Sequence, residues 1–388
     1  MVDLPSSMPE PRSFLRKNCK DYKGRIPELD GLRGIGALAI LFYHTWPTTF
    51  FFGWTRVDLF FVLSGYLITS ILLKNQLSCR FLFVFWFRRA LRIWPAYYLL
   101  LFILCVREIL NNYSLNLKAV LSYVTFTQNV PYYWSGPILS FSSEATHTWA
   151  LAIEEQFYLV WPLIMVIVGR RFLIPMVLWL IINSIVLRMF GFYPFVALAR
   201  CDGLALGTIL AICLENCKLS AQRSTWLHRA FVLTSLVALL FLVSFLVSLH
   251  GFLEETSQGS SLTIFMVSVF YCSIIGLVIL HTGNPLLNFL RFRSLRYIGQ
   301  ISYGIYLYHL PIIDVITNDL KYGPIATQLA AISLSLLAGI ISWECLERPL
   351  GRLKEKIPYE HDGTQSRAAM PYTEDALTKS VFANGSFL

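Results

Sequence analysis

The sequence predicts an all-α fold: a polytopic membrane helical bundle of about ten transmembrane helices with both termini in the cytoplasm. Three observations carry this. Of 388 residues, 56% are hydrophobic and 14% are charged, where a soluble domain carries about 25% charged residues. The mean hydropathy is +0.58. The basic residues also concentrate in alternate loops. This composition excludes a disordered chain, a collagen, a coiled coil and a nucleic-acid-binding module. The net charge of +9 therefore reads as loops facing an anionic cytoplasmic leaflet.

Crossing about 30 Å of hydrocarbon takes about 20 apolar residues. The runs that qualify are 34–52, 57–73, 93–105 with its flanks, 149–168, 172–190, 194–214, 230–249, 263–280, 297–317 and 325–345. Residues 1–25 are polar and basic, without the apolar core and cleavage site of a signal peptide. They are expected to form a cytoplasmic segment, with the first run acting as its own insertion signal. The run 119–130 is shorter and ends in Thr125, Thr127, Gln128 and Asn129. If it stays out of the membrane, 26 of the 32 Lys and Arg residues fall on the cytoplasmic side; if it spans, the split is 15 to 17. The positive-inside rule keeps it out and makes 107–147 an external loop. Residues 26–352 then form the membrane domain, and the polar stretch 353–388 is expected to be a disordered cytoplasmic tail. No internal repeat with paired broken helices is evident, and the eight cysteines have no metal-site spacing.

An ionisable residue at the centre of a span costs about 2.5–3.5 kcal/mol on insertion scales, so each one asks for a reason. His44 lies ten residues into the first run, close to the midplane by helical rise. A neutral imidazole there can take a proton as a general base, or can bond a neighbouring helix as a structural group. Glu154 and Glu155 are adjacent, so they point about 100° apart. One could orient a histidine and the other pair with an arginine, or both could sit in structural ion pairs. Arg200 and Asp202 could neutralise each other, or Arg200 could meet a glutamate. Asp58 could hydrogen-bond near His44 or act as a helix-start charge.

Two further clusters stand at the ends of spans. Arg89 and Arg92 share one helical face within an aromatic stretch. Arginines so spaced can clamp a phosphate, or anchor the cytoplasmic end of a span. Ser302, Tyr306 and His309 lie on one side of the ninth run, beside Tyr303. Hydroxyls in hydrocarbon need internal partners, so this face should look inward.

Taken in order, these segments resemble the acyltransferase 3 family of bacterial membrane O-acyltransferases. Leu29-Asp-Gly-Leu-Arg33 followed by His44 is similar to the family's Arg-x10-His motif, and Val57-Asp-Leu-Phe-Phe-Val-Leu-Ser-Gly-Tyr-Leu-Ile68 to its second helix. Arg89-x-x-Arg92 before Trp94-Pro95 resembles its arginine motif, and His147-Thr-Trp-Ala-Leu-Ala-Ile-Glu-Glu-Gln-Phe-Tyr158 its glutamate helix. Ser302-Tyr303 with Tyr306 and His309, then Glu347-Arg-Pro349, resemble its closing segments. The resemblance runs from Ile26 to Arg352; Ala150 departs from it, standing where many members have serine. No hydrolase-like domain follows in this sequence, so the membrane bundle is expected to work alone.

The resemblance implies transfer of an acyl group, acetyl by default, from cytosolic acyl-CoA to a hydroxyl of a carbohydrate or glycosylated small molecule. It makes His44 the catalytic residue with Arg33 in the same motif, and Arg89 and Arg92 candidates for the CoA phosphates. Glu154, Glu155 and Asp58 are the remaining candidate catalytic groups. Arg200, Asp202, Ser302, Tyr303, Tyr306 and His309 are candidate substrate-binding groups. Acyl-CoA is a co-substrate; no metal or other cofactor and no nucleic acid is implied. The expected location is the bacterial inner membrane, among its lipids. Two rival readings use the same residues: a transporter or flippase of a lipid-linked sugar or small molecule, with the buried charges as its path, and a signalling or scaffold membrane protein that would not need His44.

The charge asymmetry fixes a topology that can be measured. Reporter fusions after Leu73, Arg171, Arg229 and Arg296 should report cytoplasm, and fusions near Ser140, Phe252 and Asp319 the outside. A cytoplasmic Ser140 would mean that 119–130 spans, and would invert every later loop.

Overall fold

The computed structural model describes residues 26–75, 77–112, 115–130, 143–217, 221–248, 260–319, 323–357 and 359. Among them every regular element is a helix and no strand occurs. The N-terminal segment 1–25, the middle of the loop expected to be external (131–142) and the expected tail from 360 lie outside the described residues. Among the described residues six helices are long and apolar enough to cross a membrane: Phe51–Leu73, Cys79–Leu110, Glu144–Met189, Gln222–Ser244, Ser261–Leu280 and Ile325–Leu353. The chain is a multi-pass helical membrane protein. Its outward faces carry large apolar side chains, with Phe83, Phe102, Ile167 and Leu240 each more than 60% exposed, as lipid contact requires.

Helix α1 (Pro27–Thr45) starts earlier and ends earlier than the first apolar run. Pro27 occupies its first turn, where a missing N–H costs nothing, and Glu28 and Asp30 sit at its positive end. At the other end Thr45 bonds back to the Leu41 carbonyl at 2.9 Å. Pro47 then disfavours helical geometry at Trp46, whose φ is −132°. His44 is therefore the penultimate residue of α1, at a helix end and not mid-helix. A 3₁₀ turn (Phe51–Thr55) leads directly into α2 (Arg56–Leu73).

Helix α3 (Cys79–Leu110) is capped by Ser78, and α4 (Leu117–Val124) by Asn116. At 8 residues, α4 is too short to cross a bilayer. Tyr97 and Tyr98 of α3 donate to its last carbonyls, at Tyr123 and Val124. Helix α5 (Trp149–Met189) follows a 3₁₀ turn (Ser143–Thr148) and is two helices joined at Gly169, whose φ of 67° is the left-handed conformation that glycine adopts freely. A four-residue helix α6 (Ala197–Arg200) breaks at Cys201 before α7 (Asp202–Cys217), so the run 194–214 is not one continuous helix. Helices α8 (Ala221–Ser248), α9 (Ser260–Leu280), α10 (Arg293–Asp319) and α11 (Pro324–Ser342) complete the bundle. The closing helix α12 (Arg348–Glu355) runs past residue 352. Beyond it Arg88 donates to the Ile357 carbonyl at 2.6 Å and lies 4.4 Å over the Tyr359 ring, so the first residues of the expected tail pack on α3.

Two helix pairs set the architecture, and both depend on missing side chains. A methyl group at Gly65 of α2 would collide with the Leu204 carbonyl, and one at Gly207 of α7 with the Val62 carbonyl. The same holds between Gly34 of α1 and the Leu295 carbonyl, and between Gly299 of α10 and the Asp30 carbonyl. Small residues at such crossings let backbones approach closely, which is how helices associate without a hydrophobic driving force in lipid. Around the first pair lies the main core, with Phe61, Phe85, Tyr97 and Trp161 almost fully buried. Inside it Trp161 donates to Thr69 at 3.0 Å, and Thr69 bonds Thr208 at 3.0 Å.

The buried charges pair differently from either sequence alternative. Arg200 makes a bidentate pair with Asp58, at 2.7 and 2.9 Å, and Ser268 donates to the same carboxylate at 2.6 Å. Asp202 pairs with Arg188 at 2.7 Å instead of with Arg200. Both pairs are essentially sealed from solvent, and together they pin the starts of α2 and α7 to α5 and α9. Arg200→Met would strand the Asp58 charge. It should destabilise the detergent-purified protein by about 3–5 kcal/mol, read as a fall in its unfolding midpoint, and Asp58→Asn in the same chain should restore part of the loss. An unchanged midpoint in Arg200→Met would show that the pair does not hold the bundle.

Candidate active site

Helix α1 positions the first two residues. Arg33 and His44 are eleven residues apart, so three turns of helix return them to nearly the same face, about 16 Å from one another. They open into different spaces. Arg33 lines one cavity, and His44 lines a second. Arg56 and Val57, at the start of α2, line both cavities.

The first cavity is the basic one. Arg33, Arg89 and Arg92 reach it from α1 and α3, Glu154 and Tyr158 from α5, Ser64 from α2, and Ser302, Tyr303 and Tyr306 from α10. Arg92 is exposed and Arg89 half-buried, its guanidinium 5.6 Å from the Tyr158 ring centroid. Neither has an ion-pair partner among the described residues. Glu154 accepts from Ser64 at 2.9 Å and from Tyr158 at 3.0 Å. Glu155 points away and accepts from Trp94 Nε1 at 3.0 Å, which separates the two adjacent carboxylates. Tyr303 donates to the Ile93 carbonyl at 2.7 Å and so ties α10 to α3 at the cavity wall, while Ser302 bonds back to the Gly299 carbonyl of its own helix at 2.9 Å.

The second cavity is aromatic and holds histidines. Tyr43, Trp54, Tyr123, Trp149 and Phe195 line it with His44, His147 and Gln128. Rings with a few convergent polar groups suit a ligand that is part apolar face and part hydroxyl, as a sugar ring is. The His44 and His309 rings are 5.1 Å apart by centroid, and His309 is 5.1 Å from His147. His309 Nδ1 lies 2.8 Å from the Tyr306 carbonyl and must donate to it, because a carbonyl only accepts. That tautomer leaves Nε2 as an acceptor, and Nε2 has no hydrogen-bond partner among the described residues. Neither ring nitrogen of His147 has one among them either. Tyr306 donates to the His147 carbonyl, joining the histidine cluster to the first cavity.

The structure thus gathers Arg33, Arg89, Arg92, Glu154, Ser302, Tyr303 and Tyr306 around one cavity, and places His44 in the other with His309 beside it. It does not bring Asp58, Arg200 or Asp202 to either; their charges are taken up by the buried pairs. No carboxylate bonds His44 among the described residues, since Glu154, Glu155 and Asp58 each have other partners. Among the described residues no group of three His, Cys, Asp or Glu side chains could hold a metal ion. Sequence reasoning missed His147 and Arg56. The signal for His147 was its place at the head of the glutamate motif, and for Arg56 a cation in the first turn of a helix, the end that disfavours it.

A family model described as an acyltransferase domain matches residues 26–344. The chain is 29% identical over 368 residues to the peptidoglycan O-acetyltransferase OatA of Listeria monocytogenes, an alignment covering 87% of this chain and 57% of that protein. It is 30% identical over 362 residues to the O-acetyltransferase OatA of Staphylococcus aureus, covering 85% and 58% respectively. Bacillus subtilis YrhL is 30% identical over 357 residues, covering 84% of this chain and 55% of YrhL. The chain spans a little over half the length of these curated relatives. No solved structure matches it.

Proposed function

This chain belongs to the acyltransferase 3 family, and we propose from that premise that it is an O-acyltransferase moving an acetyl group from cytosolic acyl-CoA to a hydroxyl of a cell-envelope carbohydrate. Peptidoglycan, the acceptor in the name of the Listeria relative, is the first polymer to test. The observation that carries the reading is the pair of cavities with Arg56 and Val57 in both walls. Donor and acceptor can enter from opposite ends of one bundle and meet without either crossing it. Ten spans with both termini cytoplasmic, in the bacterial inner membrane, would turn the arginine cavity to the cytosol, where acyl-CoA is. The histidine cavity would then open outward.

Arg89 and Arg92 bind the CoA phosphates at the cavity mouth, and the acyl-pantetheine arm extends inward past Glu154, Tyr158 and Tyr306. The acceptor sugar stacks on the aromatic walls of the other cavity, its hydroxyl beside His44. Neutral His44 removes the hydroxyl proton as the oxygen attacks the thioester carbonyl. The C–S bond then breaks and CoA thiolate leaves the way it came. His309 packs against His44 and holds the orientation of its ring.

The test is transfer from acetyl-CoA to carbohydrate acceptors by the detergent-purified protein, read by mass spectrometry. His44→Gln can hydrogen-bond but takes no proton near neutral pH, and should lower turnover about 10²–10⁴-fold without loss of folded protein. The wild-type kcat should rise with pH along a single ascending limb, because imidazolium cannot act as the base. Near-normal turnover in His44→Gln would make the histidine structural. Replacing Arg89 and Arg92 with Ala should raise the KM for acetyl-CoA about ten- to hundredfold, more than that for the acceptor. Lys at both positions should recover only part, because it lacks the two-pronged guanidinium. An unchanged donor KM would leave the two arginines as a membrane anchor.

A further inference from the structure

We propose that Arg56 is a catalytic residue that binds the carbonyl oxygen of the acyl thioester and stabilises the negative charge forming on it. The inference rests on the reading that an acyl group passes between the two cavities. Arg56 and Val57 are the residues common to both walls, and Val57 has no polar side-chain atom. His44 lies on one side of this junction, and Arg33, Arg89 and Arg92 on the other. A thioester carbonyl carbon that is attacked from one cavity while its sulfur leaves into the other has to sit at the junction, against the Arg56 guanidinium.

The placement of Arg56 is one that disfavours a cation on two counts. It is 5% exposed, and burial disfavours an ionised group. It is the first residue of α2, where the helix dipole repels a cation. The guanidinium carbon lies 5.5 Å from the Tyr306 ring centroid. Tyr306 in turn meets His147 edge-on at 5.1 Å. Local rules broken together at one point mark a functional position more often than a structural one.

The chemistry needs such a group. As the acceptor oxygen bonds to the carbonyl carbon, the carbonyl π pair moves onto its oxygen, and the hydroxyl proton goes to His44. The pair then returns, the C–S bond breaks, and the sulfur leaves with its electrons as thiolate. The oxygen carries a full negative charge only between these two events. A fixed guanidinium beside it favours the transition state without itself transferring a proton.

The experiment measures kcat and KM for acetyl-CoA and chloroacetyl-CoA with the purified full chain and its Arg56→Gln and Arg56→Lys variants. Loss of one such donor lowers kcat about 10²–10³-fold, so Arg56→Gln should show that loss with acetyl-CoA while its donor KM stays within about threefold. Chloroacetyl places less demand on charge stabilisation, so the same variant should lose less than tenfold in kcat with that donor, by the same oxyanion logic. Arg56→Lys should fall between Gln and wild type with acetyl-CoA. If Arg56→Gln does not accumulate as folded protein, the acetyl-to-chloroacetyl comparison in Arg56→Lys carries the same test. A defect equal for both donors, or one confined to KM, overturns the assignment and leaves Arg56 a structural or binding residue. A wild-type protein with no transfer from either donor would instead overturn the acyltransferase reading itself.

Discussion

In hydrocarbon a buried charge has no water to fall back on, and the Asp58–Arg200 pair is where this protein meets that constraint most completely. Both partners are sealed, the contact is bidentate, and Ser268 satisfies a remaining lone pair. A pair of this kind gains little net stability over an apolar replacement, but it tolerates almost no displacement, because parting the charges in a low dielectric is expensive. It therefore works as a locator. It fixes the first turn of α2 against the break between α6 and α7 and against α9, and the Arg188–Asp202 pair fastens the same break to α5. Arg56 lies two residues before Asp58, so the junction of the cavities inherits its position from the ion pair.

The second determinant is close approach. Gly34 and Gly299 bring α1 and α10 into backbone contact, and these two helices contribute to both cavities. One face of α1 presents Arg33 and then His44; one face of α10 presents Ser302, Tyr306 and then His309. The Arg-x10-His spacing is thus a ruler. It carries one residue to each chamber along a rigid element, with about three turns between them. Any side chain larger than hydrogen at Gly34 or Gly299 would spread the pair and loosen both chambers together.

Much of this was legible in the sequence, because helical periodicity and hydropathy are local properties. The all-helical fold, the separation of 149–168 from 172–190, the shared face of Arg89 and Arg92, and the inward face of α10 all follow from spacing. What was not legible is pairing across long separations. Asp58 and Arg200 are 142 residues apart, and nothing in either local pattern prefers one partner over another. The same gap misplaced the carboxylates. Glu154 looks like a partner for His44 in sequence, yet it faces the arginine cavity, where Ser64 and Tyr158 hold it. The end of α1 was missed for a different reason: hydropathy continues through Trp46 to Phe52, and the stop comes from Pro47.

These two determinants bear on what the buried charges are for. A transporter has to close one side of its site before opening the other, so the groups at the crossing point must change partners as it cycles. Here the crossing point is flanked by Asp58, which is gripped through both oxygens, and by two helix pairs in backbone contact through glycine. Such packing resists the relative movement that alternating access needs. It suits the proposed reaction, in which both substrates would come to a fixed waist and only the acyl group would pass it. Stiffness at the waist then becomes useful, because a stabilising charge helps most when it is already in place as negative charge develops.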